Sequence, residues 1–214
     1  MGFLYETLNA VSGFVPIDKT RFSLIDDNLN SKFPIREYQI KSFSRFDYYM
    51  NNNFEGKPNK PTHLLYNMAT GSGKTLVMAG LMLYLYEKGF RNFLFFVHTN
   101  NILEKTKDNF LNKKSIKYLF ADRIVINSKE VLIKQVNNFD EADNRNINIH
   151  FTSIQKLHSD LVQNEKENAL SVEDFKDKNF NQLILNPKIL QRLLGFLTHK
   201  KTIMETTQRV IATD

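Results

Sequence analysis

The eight residues Met68-Ala-Thr-Gly-Ser-Gly-Lys-Thr75 constrain this chain more than any other stretch. They emerge from HLLYNM (63–68), an apolar run of strand length, and lead into Lys74 to Lys88, a helical stretch with a broad apolar face closed by Gly89. Glycines at 71 and 73 let the backbone turn tightly and aim several N–H groups at one anion. A helix starting near Lys74 adds the positive end of its dipole. In that setting Thr70, Gly71, Ser72, Gly73, Lys74 and Thr75 are expected to wrap the phosphates of a nucleoside triphosphate, ATP first among them. Lys74 is expected to reach the β- and γ-phosphates, and the Thr75 hydroxyl to sit on Mg²⁺. The strict pattern has Gly where this chain has Met68, but the GSGKT core and its strand–turn–helix setting are both present. A Gly-rich turn with an incidental Lys-Thr is the alternative, and that setting argues against it.

Strand and helix alternate around the loop. PIREYQIKSFSRFDYYMNN is expected to form a helix from Pro34, with Ile35, Tyr38, Phe43, Phe46 and Tyr49 at helical spacing. NNNFEGKPNKP then reads as an exposed loop. NFLFFVH (92–98), RIVIN (123–127) and INIHFT (147–152) are further strand candidates, with helices expected at ILEKTKDNFL and IQKLHSDLVQ. The pattern predicts an α/β fold with a mainly parallel sheet sandwiched by helices. Residues 1–33 mix short apolar stretches with polar breaks, and NQLILNPKILQRLLGFL (181–197) breaks the alternation.

Composition narrows the class. No apolar run reaches the roughly 18 residues that span a bilayer. The start lacks the build of a secretion signal, and Gly2 with Thr7 misses the myristoylation spacing. With no Cys there is neither a disulfide framework nor a thiolate metal site, and the five His form no i, i+4 pair. A cytoplasmic setting is expected. The net charge of +6 is compatible with phosphate-rich partners such as nucleic acid. The 18 Phe point to an aromatic-rich core.

The order REYQ (36–39), MATGSGKT, FLFFVHTNNILEKTKDNF (93–110) and IHFTSIQKLHSDL (149–161) resembles the first motor domain of superfamily-two helicases. Among these it looks most like the Res subunit of type III restriction enzymes, over roughly residues 34–180. The resemblance implies a RecA-like P-loop fold, a DNA partner, and a DNA methyltransferase subunit as a further possible partner. It also implies that Gln39 reads the adenine edge, against the plain alternative of an exposed helix residue. It places His98, Thr99 and Asn100, and then Thr152 and Ser153, against a nucleic-acid backbone, with Gln155 behind. Helix capping is the alternative, since Asn100 and Ser153 each precede an amphipathic stretch.

Residues 140–143 spell Asp-Glu-Ala-Asp, yet they sit in a polar context before FTSIQ, whereas the acidic box of such helicases follows that segment. A solvated loop is expected there. After EDFKDKNF (173–180), where the resemblance implies an apolar strand and Asp-Glu-Ala-His, the chain runs NQLILNPKILQRLLGF with no carboxylate before Glu205. The expectation is a truncated or degenerate motor domain: 1–33 an N-terminal extension, 34–180 the partial ATP-binding domain, 181–214 a divergent tail. Alone it should bind ATP and hydrolyse it poorly. An unrelated P-loop NTPase or kinase, or a non-catalytic remnant packed on a partner, are the rival readings.

Overall fold

The computed structural model describes residues 4–12, 22–52, 62–97, 100–153 and 210–212. In chain order the elements are α1 (Leu4–Ser12), α2 (Ser23–Asn28), α3 (Glu37–Asn51), β1 (Thr62–Leu64), α4 (Lys74–Glu87), β2 (Asn92–Val97) and α5 (Asn100–Leu111). There follow β3 (Ile124–Ile126), β4 (Lys129–Val131), β5 (Ile133–Gln135), a 3-10 turn at Phe139–Glu141, β6 (Ile147–Ser153) and β7 (Val210–Ala212).

The central sheet has the order β2-β6-β5, and both pairings are parallel. β6 lies in the middle and is buried along nearly its whole length, as a strand covered on both faces must be. With helices packed against it, this is the expected α/β, RecA-like arrangement.

α4 is the spine of the core. Every residue from Leu76 to Tyr86 is buried, so the helix is enclosed all round rather than on the one broad face expected. A Cβ on Gly80 would come within 2.6 Å of Phe43 Cζ and 2.9 Å of Ile25 Cγ2, so glycine is what lets α2 and α3 approach this closely. Phe95, Phe110, Phe120 and Phe151 pack edge-on or tilted, with centroids 5.5–6.2 Å apart, and supply the aromatic core. α2 belongs to the same core: Phe22, Ile25 and Leu29 are buried in it. Asn28, itself buried, accepts from Val125 N–H at 2.6 Å and donates to Val125 O at 3.1 Å, tying α2 to β3.

Several elements differ from expectation. α3 starts at Glu37, not Pro34, because the Gln39 side chain accepts from Arg36 N–H (2.9 Å) and closes the first turn there. β1 is three residues long rather than six, and it pairs antiparallel with β7, outside the parallel sheet. β3 is not a rung of the parallel sheet either. It forms a hairpin with β4 across Asn127 and Ser128, both at positive φ as a tight two-residue turn requires. The third parallel strand is β5, a short and largely exposed segment that carries little apolar signal. The loop expected at 51–61 mostly falls outside the described residues, as does the helix expected at IQKLHSDLVQ.

Candidate nucleotide-binding site

The loop joining β1 to α4 has the conformation its glycines predict. Gly71 and Gly73 lie at φ +76° and +81°, where an L side chain is strained. Ser72 N–H donates to Ala69 O (3.2 Å), and Gly73 O accepts the first helical bond from Val77 N–H (3.0 Å). The turn therefore hands its last residues directly to the α4 N-terminus. The Lys74 ammonium folds back across the loop and donates to Met68 O at 2.8 Å and Ala69 O at 2.9 Å. Those are ordinary bonds to neutral carbonyls, which an anionic phosphate would outcompete by charge. Ser72 Oγ is buried and has no hydrogen-bond partner among the described residues. Gly71 faces open space, with nothing within 4 Å of a Cβ placed there. An ammonium, an orphaned hydroxyl and a helix N-terminus form a donor set that fits a phosphate chain. Thr75, half-buried on the first turn of α4, stands beside it.

The loop is held from behind by α3. Gln39 is only 3% exposed, so it is not the exposed helix residue considered as the alternative. Its oxygen accepts from Arg36 N–H and its Nε2 donates to Ser72 O at 3.0 Å. A Cβ on Gly73 would fall 2.5 Å from Gln39 Nε2, so a side chain there would displace the Gln39 amide. Tyr38, which helical spacing placed on the apolar face, instead remains 40% exposed, and its hydroxyl donates to the same Ser72 O at 2.8 Å. The sequence signal for Tyr38 was only its place beside Gln39 in REYQ.

At the carboxyl edge of the sheet, Val97 of β2 pairs with Ser153 of β6. His98 and Thr99 lie outside the described residues. Asn100 opens α5 and is exposed, whereas Thr152 and Ser153 are buried, at 5% and 0% exposure. The Ser153 hydroxyl donates to Asn100 Oδ1 at 2.6 Å, so the two sequence segments do meet in space.

The Asp-Glu-Ala-Asp string sits at the other edge. Asp140 and Glu141 are exposed in the 3-10 turn, with their N–H groups on Asn138. Arg91, at the start of β2, donates to Asn144 O (2.9 Å) and to Tyr86 O (2.7 Å), and Tyr86 donates to Arg145 O (2.6 Å). These bonds fix residues 144–145 against the C-terminal end of α4. The phosphate loop lies at its N-terminal end, about 20 Å away along a 14-residue helix. Asp143 is paired with Lys134 (3.2 Å) and bonded by Arg145 N–H (2.7 Å), and these hold its carboxyl below the ordinary carboxylate value. Across that distance none of these carboxylates serves an ion beside Thr75.

Residues 32–186 match the family model described as "Type III restriction enzyme, res subunit". That is well over half of the chain. The chain belongs to the type III restriction Res family. A curated Res relative is the "Probable type III restriction-modification enzyme HindVIP Res subunit" of Haemophilus influenzae, 43% identical over 158 residues. The match covers 72% of this chain and 30% of that protein, so this Res-type chain spans about a third of its relative's length. A search of the solved structures gave no match. The helicase-like domain of the Res family thus accounts for the phosphate loop and the segments around it. Among the described residues, no helix is long and apolar enough to cross a membrane.

Proposed function

We propose that this Res-family domain binds ATP·Mg²⁺ on residues 70–75 and is the first motor domain of a type III restriction-type DNA translocase. The observation that carries the reading is the loop itself: two glycines at positive φ, an ammonium resting on its own loop carbonyls, and an α-helix starting at the lysine. When bound, ATP·Mg²⁺ would supply the phosphoryl group for hydrolysis and a cation to neutralise its charge. Lys74 exchanges its two carbonyl partners for β- and γ-phosphate oxygens. Amides from Gly71 to Thr75 donate to the same chain of phosphates, and the Thr75 hydroxyl holds Mg²⁺. Gln39, kept beside the loop, contributes its remaining amide capacity to the adenine edge.

At the carboxyl edge, His98, Thr99 and Asn100 contact the DNA backbone. Thr152 and Ser153 form the second segment toward that backbone, Ser153 orienting the Asn100 amide toward a phosphate. The motor domain comprises residues 34–180, with α2 packed onto it from the N-terminal extension, and the divergent segment 181–214 contributes Val210–Ala212 as the partner of β1. A DNA methyltransferase subunit is the protein partner in this reading, and the compartment is the cytoplasm. These 214 residues hold no Asp-Glu-Ala-His box after residue 180, so by themselves they bind ATP and turn it over slowly.

The test is equilibrium binding of a fluorescent ATP analogue with Mg²⁺. Lys74→Ala, which leaves the α4 core untouched, is expected to abolish binding, with the far-UV spectrum retained. Unchanged affinity in the variant overturns the proposal.

A further inference from the structure

We infer that Tyr38 is a positioning residue for the phosphate loop, turning the Ser72–Gly73 peptide so that its N–H faces the anion. The inference rests on the nucleotide reading of that loop. Ser72 O is unusual in accepting two side-chain bonds from consecutive residues of one helix, Tyr38 Oη at 2.8 Å and Gln39 Nε2 at 3.0 Å. A trans peptide carries its N–H opposite its C=O. Fixing Ser72 O against α3 therefore sends the Gly73 N–H away from α3, to the side where a phosphate has to sit. Without those donors the peptide between a serine and a positive-φ glycine is free to rotate, and its carbonyl can present negative charge to the phosphate instead.

The phenol is committed to this bond. Arg36 Nη1 donates to Tyr38 Oη at 3.3 Å, which leaves the hydroxyl proton for Ser72 O and polarises it. The ring is 40% exposed, so the tyrosine adds little to the core and its oxygen is the atom with a specific partner. Tyr38 thus acts through the loop backbone and not through contact with the reacting atoms.

The experiment is Tyr38→Phe in the full chain, which keeps the ring and removes only the oxygen. Two probes are titrated with Mg²⁺, a labelled ATP analogue and inorganic tripolyphosphate, and the thermal midpoint of the ligand-free protein is measured. The expected result is a rise of about five-fold in Kd for both probes, the cost of leaving the Ser72–Gly73 peptide free to turn, with the midpoint lowered by no more than the loss of one exposed hydrogen bond. Unchanged Kd values overturn the inference. So does weakening confined to the ATP analogue, which marks a base contact, or a lowered midpoint with intact affinity, which marks a merely structural bond. If the wild type binds neither probe, the nucleotide reading itself fails and this inference falls with it.

Discussion

Replacing Gly73 by alanine separates two costs that the loop geometry makes distinct. The first is backbone strain: at φ +81° an L residue loses roughly 1–2 kcal/mol. The second is steric. The new Cβ would lie 2.5 Å from Gln39 Nε2, and Gln39 is buried at 3% exposure with little room to retreat. Its displacement breaks the 3.0 Å bond to Ser72 O and disturbs the 2.9 Å bond that closes the first turn of α3. Those bonds are worth about 1 kcal/mol each. Gly71→Ala is the internal control, since its φ of +76° carries the same strain while its Cβ meets nothing within 4 Å. Gly71→Ala is therefore expected to cost about 1–2 kcal/mol and Gly73→Ala about 3–4 kcal/mol. Urea unfolding followed by far-UV circular dichroism suits a chain without tryptophan. In a Gln39→Ala background the steric part should vanish, giving a coupling of about 1–2 kcal/mol. Equal costs for the two glycines, or no coupling to Gln39, would refute the argument.

Two further outcomes follow from the charges. If this chain of net charge +6 holds DNA phosphates, affinity for a short duplex should fall steeply as salt rises, with log K linear in log salt; a flat profile, or no binding at low salt, contradicts a DNA partner. Asp143 titrates below its ordinary value of 3.8 through the Arg145 N–H bond first and Lys134 next. A depressed folded-state value means that its contribution is complete above about pH 3.8 and is lost as pH falls below that. Asp143→Asn should lower the urea midpoint at pH 7 and match the wild type near pH 2; a gap that persists in acid contradicts the assignment.

The conformation of the loop at 70–75 was legible because its residue types have few other uses. Two glycines before Lys-Thr at the start of an apolar helix demand positive φ and an N-terminus together, and both are found. The apolar run at 93–97 read as a buried parallel strand for the same reason: no polar alternation offers it a wet face. Ile147 to Ser153 does alternate apolar and polar residues, and it is buried on both faces because Asn148 and Ser153 find partners in Asn92 and Asn100. What stayed hidden depends on partners distant in sequence. The strand β5 is three residues with little apolar character, and only its register with Ile147 to Ile149 makes it a strand. The pairing of β1 with β7 links segments about 150 residues apart, beyond any local pattern. Tyr38 is more exposed than its helical spacing suggested, and Gln39 is buried because the Ser72 carbonyl, far along the chain, accepts from its amide. α2 could not be placed from its own residues, since Asn28 finds its partners in β3.

Amide hydrogen exchange of the wild-type chain, with and without Mg²⁺ and a non-hydrolysable ATP analogue, tests the central claim most directly. Slowed exchange confined to the amides of Gly71 to Thr75 and the first turn of α4 is the predicted result. Exchange there that is indifferent to the analogue, or protection appearing only elsewhere in the molecule, would contradict it.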